Sequence, residues 1–109
     1  MQNVIVSGGA GYIGSHVCKA CYAAGYNPIT IDNLSTGHSD FVQWGPLHNI
    51  DLRETKALKN ILSEYEPEAI IHLAANAYVG ESFEIPGQYY WNNIGSSLSL
   101  FESAIELGI

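Results

Sequence analysis

One hundred and nine residues suffice for one compact core and are too few for two, and 47% hydrophobic against 14% charged residues is a globular rather than a disordered balance. Eleven acids against four bases leave a formal charge of −7, with too few cations to build a polyanion-binding face, so nucleic acid is excluded as a partner. No run reaches the roughly 20 apolar residues of a membrane span, and the start lacks the basic and apolar regions of a secretory signal; no membrane partner, a cytoplasmic location and reduced cysteines are expected.

Residues 3–7 form a short apolar run ending in glycines, the pattern of a buried parallel strand. Residues 11–24 carry Ile13, Val17, Cys18 and Cys21 at helical spacing, with Gly25 placed to stop a helix. Residues 28–31 supply a second strand, and residues 33–45, rich in Asn, Ser, Thr, Gly and Asp, read as a surface loop with contact duty. Residues 47–50 form a weak third strand, and Leu58, Ile61, Leu62 and Tyr65 mark a helix over 53–65 that ends at Glu66 and Pro67. Residues 69–75 are again nearly continuous in apolar character, which predicts a central strand covered on both faces. Over 86–107, Tyr90, Ile94, Leu98, Phe101 and Ile105 predict a long amphipathic helix, begun by Pro86 and stopped at Gly108.

The order β-α-β-loop-β-α-β-α predicts an α/β fold with a parallel sheet and right-handed crossovers, flanked by helices. That is a Rossmann-type arrangement, about the first four strands of a doubly wound dinucleotide-binding domain. No repeat, low-complexity tract or linker interrupts it, so residues 1–109 are expected to form one partial domain.

Glycines at 8, 11 and 14 fall between the first strand and the first helix. Gly8 would allow the tight turn, Gly11 close approach of backbone to a pyrophosphate, and Gly14 tight packing of helix on strand. The first-turn amides and the helix dipole would then face the phosphates. A glycine triplet alone is weak, but this one is followed by Asp32, 18 residues after Gly14 at the end of the second strand. Asp32 would accept hydrogen bonds from the adenosine ribose hydroxyls and repel a 2′-phosphate, which favours NAD over NADP. A helix-capping or Asx-turn role for Asp32 is the plainer alternative.

These residues, with the block from Asp32 to His38, Asp51-Leu52, the run from His72 to Ala75, the block from Val79 to Ser82, Pro86 and the block from Tyr89 to Asn93, resemble the extended short-chain dehydrogenase/reductase family and, within it, the UDP-glucose 4-epimerases. The resemblance covers essentially the whole chain. It implies that Tyr12 and Ile13 contribute backbone and wall to the pyrophosphate site, and that Asn33, Ser35, Thr36 and Gly37 line the adenosine ribose. It implies further that Asp51 bonds the adenine amine with Leu52 on the ring, that Leu73, Ala74 and Ala75 form the floor, and that Asn92 reaches the cofactor from the long helix. Ala77 departs from the lysine common in the family at that point, so a direct charge on the cofactor ribose is lost.

The resemblance also implies a UDP-hexose substrate, a homodimeric parent, and hydride loss from the sugar C4 to NAD⁺ followed by its return to the other face. A Tyr-x-x-x-Lys pair would supply the base, the lysine lowering the tyrosine pKa. None of the seven tyrosines here has lysine four positions later. The chain is therefore expected to be an inactive, NAD-binding fragment, with the catalytic region and sugar-nucleotide domain elsewhere and an open sheet edge that favours self-association. Another nucleotide-sugar epimerase or dehydratase of the family, or a non-catalytic dinucleotide-binding module, is the alternative.

Other candidates read as structural. Cys18 and Cys21 form a C-x-x-C without a second pair and lie on one predicted helix face, so they pack the core and hold no metal. His16 and His72 sit beside predicted core elements without an acid partner. Glu81 and Glu84 read as solvated or helix-start acids, and Tyr89, Tyr90 and Trp91 as packing.

Overall fold

The computed structural model describes residues 2–35, 37–74 and 94–109. In chain order the described elements are β1 (Asn3–Ser7), α1 (Tyr12–Ala23), β2 (Asn27–Ile31), a 3-10 turn (Ser39–Phe41), β3 (Leu47–His48), α2 (Thr55–Tyr65), β4 (Ala69–His72) and α3 (Ser96–Leu107). The strands form one parallel sheet in the order β3-β2-β1-β4. Both β1 and β2 are buried over their last four residues, as β-branched and apolar runs covered on two faces should be.

Strand alternation divides the core into two. Ile5 on β1 and Ile29 and Ile31 on β2 point to one face, where they meet Leu58, Ile61 and Leu62 of α2 and Leu100 of α3. Val4 and Val6 point to the other, against Cys18 of α1, with Val17, Cys21, Trp44 and Ile71 around them. Cys18 thus belongs to the core; its Sγ lies 3.5 Å from Thr30 Oγ1, and burial pushes its thiol pKa up, away from a reactive thiolate. α2 ends at Glu66 in the left-handed region, ahead of Pro67, where the sequence predicts a stop.

β4 pairs with β1 alone among the described residues and forms the open edge expected of a partial sheet, so its side chains are exposed or half-buried. The described helix α3 begins at Ser96, the stretch 75–93 lying outside the described residues. Its apolar stripe faces outward: Ile94 is 58%, Leu98 55%, Phe101 56% and Ile105 79% exposed, while Ser96, Leu100 and Ser103 are buried. Periodicity identifies which residues share a face, but not which face meets the sheet. Two serines of the inward side bond to neighbouring elements, Ser99 donating to the Leu52 carbonyl at 2.6 Å and Ser97 Oγ lying 2.8 Å from His72 Nε2, while Ser103 Oγ is buried without a partner among the described residues.

Leu100→Ala is expected to destabilise the chain by about 2–5 kcal/mol, and Ile105→Ser to stay within about 0.5 kcal/mol of wild type. Urea unfolding of the 109-residue chain followed by circular dichroism checks this; the reverse ranking would restore the outward stripe to the core.

Candidate functional site

β1 ends at Ser7, and the chain passes through a glycine-rich turn into α1. Gly8 has φ +77°, and a Cβ built there would lie 2.9 Å from both the Ala74 nitrogen and the Leu73 carbonyl carbon. Gly14, in the first turn of α1, is tighter still: its Cβ would stand 2.0 Å from the Gly8 carbonyl oxygen. The turn is pinned by Gly8 N–H donating to the Ile31 carbonyl at 2.8 Å and Gly11 N–H to the Gly8 carbonyl at 3.1 Å. Gly11 caps α1 without a side chain, and no acid occupies the first turn. The amides of Tyr12, Ile13 and Gly14 therefore have no carbonyl within their own helix, and the positive end of the dipole accompanies them.

That turn opens on a cleft of about 360 Å³ at the carboxyl ends of β1, β2 and β4. Twelve residues singled out in the sequence line it together: Gly8, Gly11, Tyr12, Ile13, Gly14, Asp32, Asn33, Ser35, Asp51, Leu52, Leu73 and Ala74. Gly37 is not on the wall; it packs on Ala10, to whose carbonyl His38 N–H donates at 2.9 Å, and so holds the loop to the glycine turn. Thr36, Ala75 and Asn92 lie outside the described residues, as do Ala77, Glu81, Glu84, Tyr89, Tyr90 and Trp91. Sequence reasoning missed Ile31, Ile50 and Ser96. The first two adjoin Asp32 and Asp51 and could have been found from them; Ser96 had no signal, because the apolar stripe of α3 pointed elsewhere. His16 stands on the exposed side of α1, its ring edge-on to Tyr12 at 4.8 Å.

Asp32 is held at both oxygens. Oδ2 accepts the Ala10 amide at 3.1 Å, and Oδ1 accepts the Leu34 amide at 2.8 Å, an Asx turn that supports the left-handed φ of 62° at Leu34. A carboxylate offers about four lone-pair sites, so acceptor capacity remains toward the cleft. Across the cleft, Asp51 is gripped by Arg53, whose backbone N–H and Nε each donate to Oδ1 at 2.9 Å and whose Nη2 donates to Oδ2. Hydrogen bonding to the Arg53 side chain, first, holds the Asp51 carboxyl below the usual carboxylate range; burial opposes it, and the Arg53 amide and charge and Asn33 add to the lowering.

Residues 4–109 match the sequence profile described as the NAD dependent epimerase/dehydratase family. The chain belongs to that family. Among family members it is 47% identical over 108 residues to the UDP-glucose 4-epimerase of Rhizobium meliloti, across 99% of this chain and 33% of that protein. It superposes with a TM-score of 0.92 on the UDP-glucose 4-epimerase of Brucella ovis in complex with NAD, at 47% identity over 95% of this chain and 32% of that one. With the Thermotoga maritima UDP-glucose 4-epimerase with UDP-glucose the TM-score is 0.95, at 36% identity over 99% of this chain and 35% of that one. The Rossmann-type architecture of this family is thus shared throughout the described sheet, while the chain spans about a third of the length of these relatives. No helix among the described residues is long and apolar enough to cross a membrane.

The lowered Asp51 pKa gives the Asp51–Arg53 pair a defined pH window. Its stabilisation is fully present above the unfolded carboxyl value of about 3.9 and is lost as pH falls through the lower native value. Arg53→Gln should therefore lower the urea midpoint at neutral pH, with the difference from wild type vanishing on acidification; a difference that persists at the lowest pH would assign the effect to packing.

Proposed function

We propose that this chain is the NAD-binding portion of a UDP-glucose/UDP-galactose 4-epimerase, with the Tyr-x-x-x-Lys region and the sugar-nucleotide domain in other parts of the parent protein. The observation that carries the reading is the meeting, in one cleft, of a side-chain-free helix N-terminus and the Asp32 carboxylate, in a chain of this family. The residues present fit a dinucleotide: a methyl at residue 14 would collide with the turn, and the amides it keeps open suit a diphosphate.

In this reading the amides of Tyr12, Ile13 and Gly14 neutralise the pyrophosphate, and Gly8 and Gly11 let it approach. Asp32 accepts the adenosine ribose hydroxyls and disfavours a 2′-phosphate, with Asn33, Ser35, Thr36 and Gly37 along the same side. Asp51, held by Arg53, takes the adenine amine while Leu52 packs on the ring. Leu73, Ala74 and Ala75 form the floor toward the nicotinamide ribose, and Asn92 contributes from the segment before α3. NAD, when bound, supplies reversible acceptance of a hydride at the sugar C4. The parent is a cytoplasmic homodimer with a UDP-hexose substrate; the outward apolar stripe of α3 supports burial of that helix in a larger assembly.

The full-length protein should interconvert UDP-galactose and UDP-glucose in a coupled assay. No interconversion, with turnover of another nucleotide sugar, would keep the family and replace the substrate; tight NAD binding without any turnover would favour a binding module. Asp32→Ser should weaken NAD binding and reduce its preference over NADP by about tenfold or more, the loss of one charged hydrogen-bonding group. Titration of both cofactors by calorimetry measures it, and an unchanged ratio would remove Asp32 from the ribose.

A further inference from the structure

His72 closes β4 at the carboxyl edge of the sheet, half-buried and in register with Ser7 of β1. Its Nδ1 lies 2.6 Å from Ser7 Oγ, and its Nε2 lies 2.8 Å from Ser97 Oγ of α3. Two backbone amides also point at Ser7 Oγ, Ala74 N–H at 3.3 Å and Leu73 N–H at 3.0 Å, the latter shared with the Ser7 carbonyl oxygen at 2.9 Å. A hydroxyl has two lone pairs and one proton. With two amide hydrogens directed at its oxygen, the Ser7 hydroxyl turns its own proton to the remaining partner, Nδ1. Nδ1 must then be bare, so the neutral ring carries its hydrogen on Nε2 and donates it to Ser97 Oγ.

The two amides that Ser7 accepts belong to the residues lying against Gly8, so their position sets the floor under the glycine turn. We infer that His72 is a positioning residue of the dinucleotide cleft: as the neutral Nε2–H tautomer it orients Ser7, which fixes the Leu73–Ala74 backbone beneath the turn and ties it to α3. The ligand in this inference rests on the NAD reading above; the hydrogen-bond relay does not.

Protonation dismantles the relay. An imidazolium donates from both nitrogens, and Nδ1–H would then meet a Ser7 oxygen whose lone pairs are already taken, while the Ser7 proton loses its acceptor. Leu73 N–H keeps the Ser7 carbonyl, so the contact that has to give way is the one from Ala74 N–H to Ser7 Oγ. β1 presents Ser7 to the ring, and α3 presents Ser97 and the edge of Phe101 at 6.0 Å; among the described residues none of these carries a charge that would favour the cation. Burial acts in the same direction, pushing the His72 pKa below its ordinary value. Cleft order is therefore expected at neutral pH and is lost as the pH falls through the lowered His72 value.

Imidazole ¹⁵N shifts of the full-length protein, with the His72 signals assigned by their disappearance in His72→Asn, test the tautomer without any ligand. An unprotonated Nδ1 and protonated Nε2 at neutral pH are expected; the opposite tautomer, or a charged ring, overturns the proposal. NAD titrations from pH 7.5 down through the acid range in which the protein stays folded test the consequence. Wild type should weaken by about tenfold on acidification, the worth of one buried hydrogen bond. His72→Asn, whose amide oxygen can still accept from Ser7 but cannot titrate, should bind within about threefold of wild type at pH 7.5 and lose the acid fall. Retention of the full acid fall in His72→Asn overturns the proposal. Ser7→Ala should bind about tenfold more weakly at pH 7.5, and wild-type affinity in that variant also counts against it. If the full-length protein binds no dinucleotide at any pH, the NAD reading fails, and the tautomer still decides the relay.

Discussion

The carbonyl oxygen of Gly8 occupies the space where any side chain at residue 14 would begin. This contact sets the distance between β1 and α1, and it can exist only because residue 14 has no Cβ. Side chains ordinarily hold a packed helix away from its sheet; here the first turn of the helix is pressed onto the end of the strand. The consequence is electrostatic. Three amides without helical partners, and roughly half a positive charge from the helix dipole, are delivered to the carboxyl edge of the sheet.

Backbone charge matters more in this chain than in most, because side-chain cations are scarce. The whole sequence has three lysines and one arginine, and no lysine or arginine lines the described cleft. Lys59 pairs with Glu106, and Arg53 is committed to Asp51. A diphosphate entering the cleft would be met by N–H groups that carry no counter-ion and need no side chain to be ordered. The acids are arranged on the same economy. Asp32 holds the Ala10 and Leu34 amides with lone pairs that leave others free, so the Asx-turn reading and the ribose reading describe one carboxylate.

Much of this was legible because two signals coincided. Residues 3–7 and 28–31 were apolar runs bounded by glycine or turn residues, and the burial of β1 and β2 follows them closely. The glycine turn could be read because spacing, a preceding strand and a following acid agreed. Where one signal stood alone, the reading slipped. The stripe through Ile94, Leu98, Phe101 and Ile105 defined a face without saying which way it turns; Leu100 packs inward instead, with Ser99 and Ser97 bonded to Leu52 and His72. The run at 69–75 identified a strand, but which strands flank it depends on partners that a local pattern cannot name. Ser96 and Ile50 reached the cleft through tertiary packing, for which no local spacing exists.

α3 inverts the usual amphipathic arrangement, with hydroxyls toward the sheet and apolar side chains outward. Its inner row reaches both sides of the cleft: Ser96 lines the wall, Ser99 donates to the carbonyl of Leu52, another lining residue, and Ser97 meets His72, which adjoins Leu73. A helix bonded to both walls cannot shift along its axis without moving one relative to the other. The outer stripe gives that helix no such direction among the described residues, so whatever covers it supplies apolar burial while the serines supply register. In the proposed homodimeric parent, the energy that orders α3 and the hydrogen bonds that set the width of the cofactor cleft would come from opposite faces of the same twelve residues.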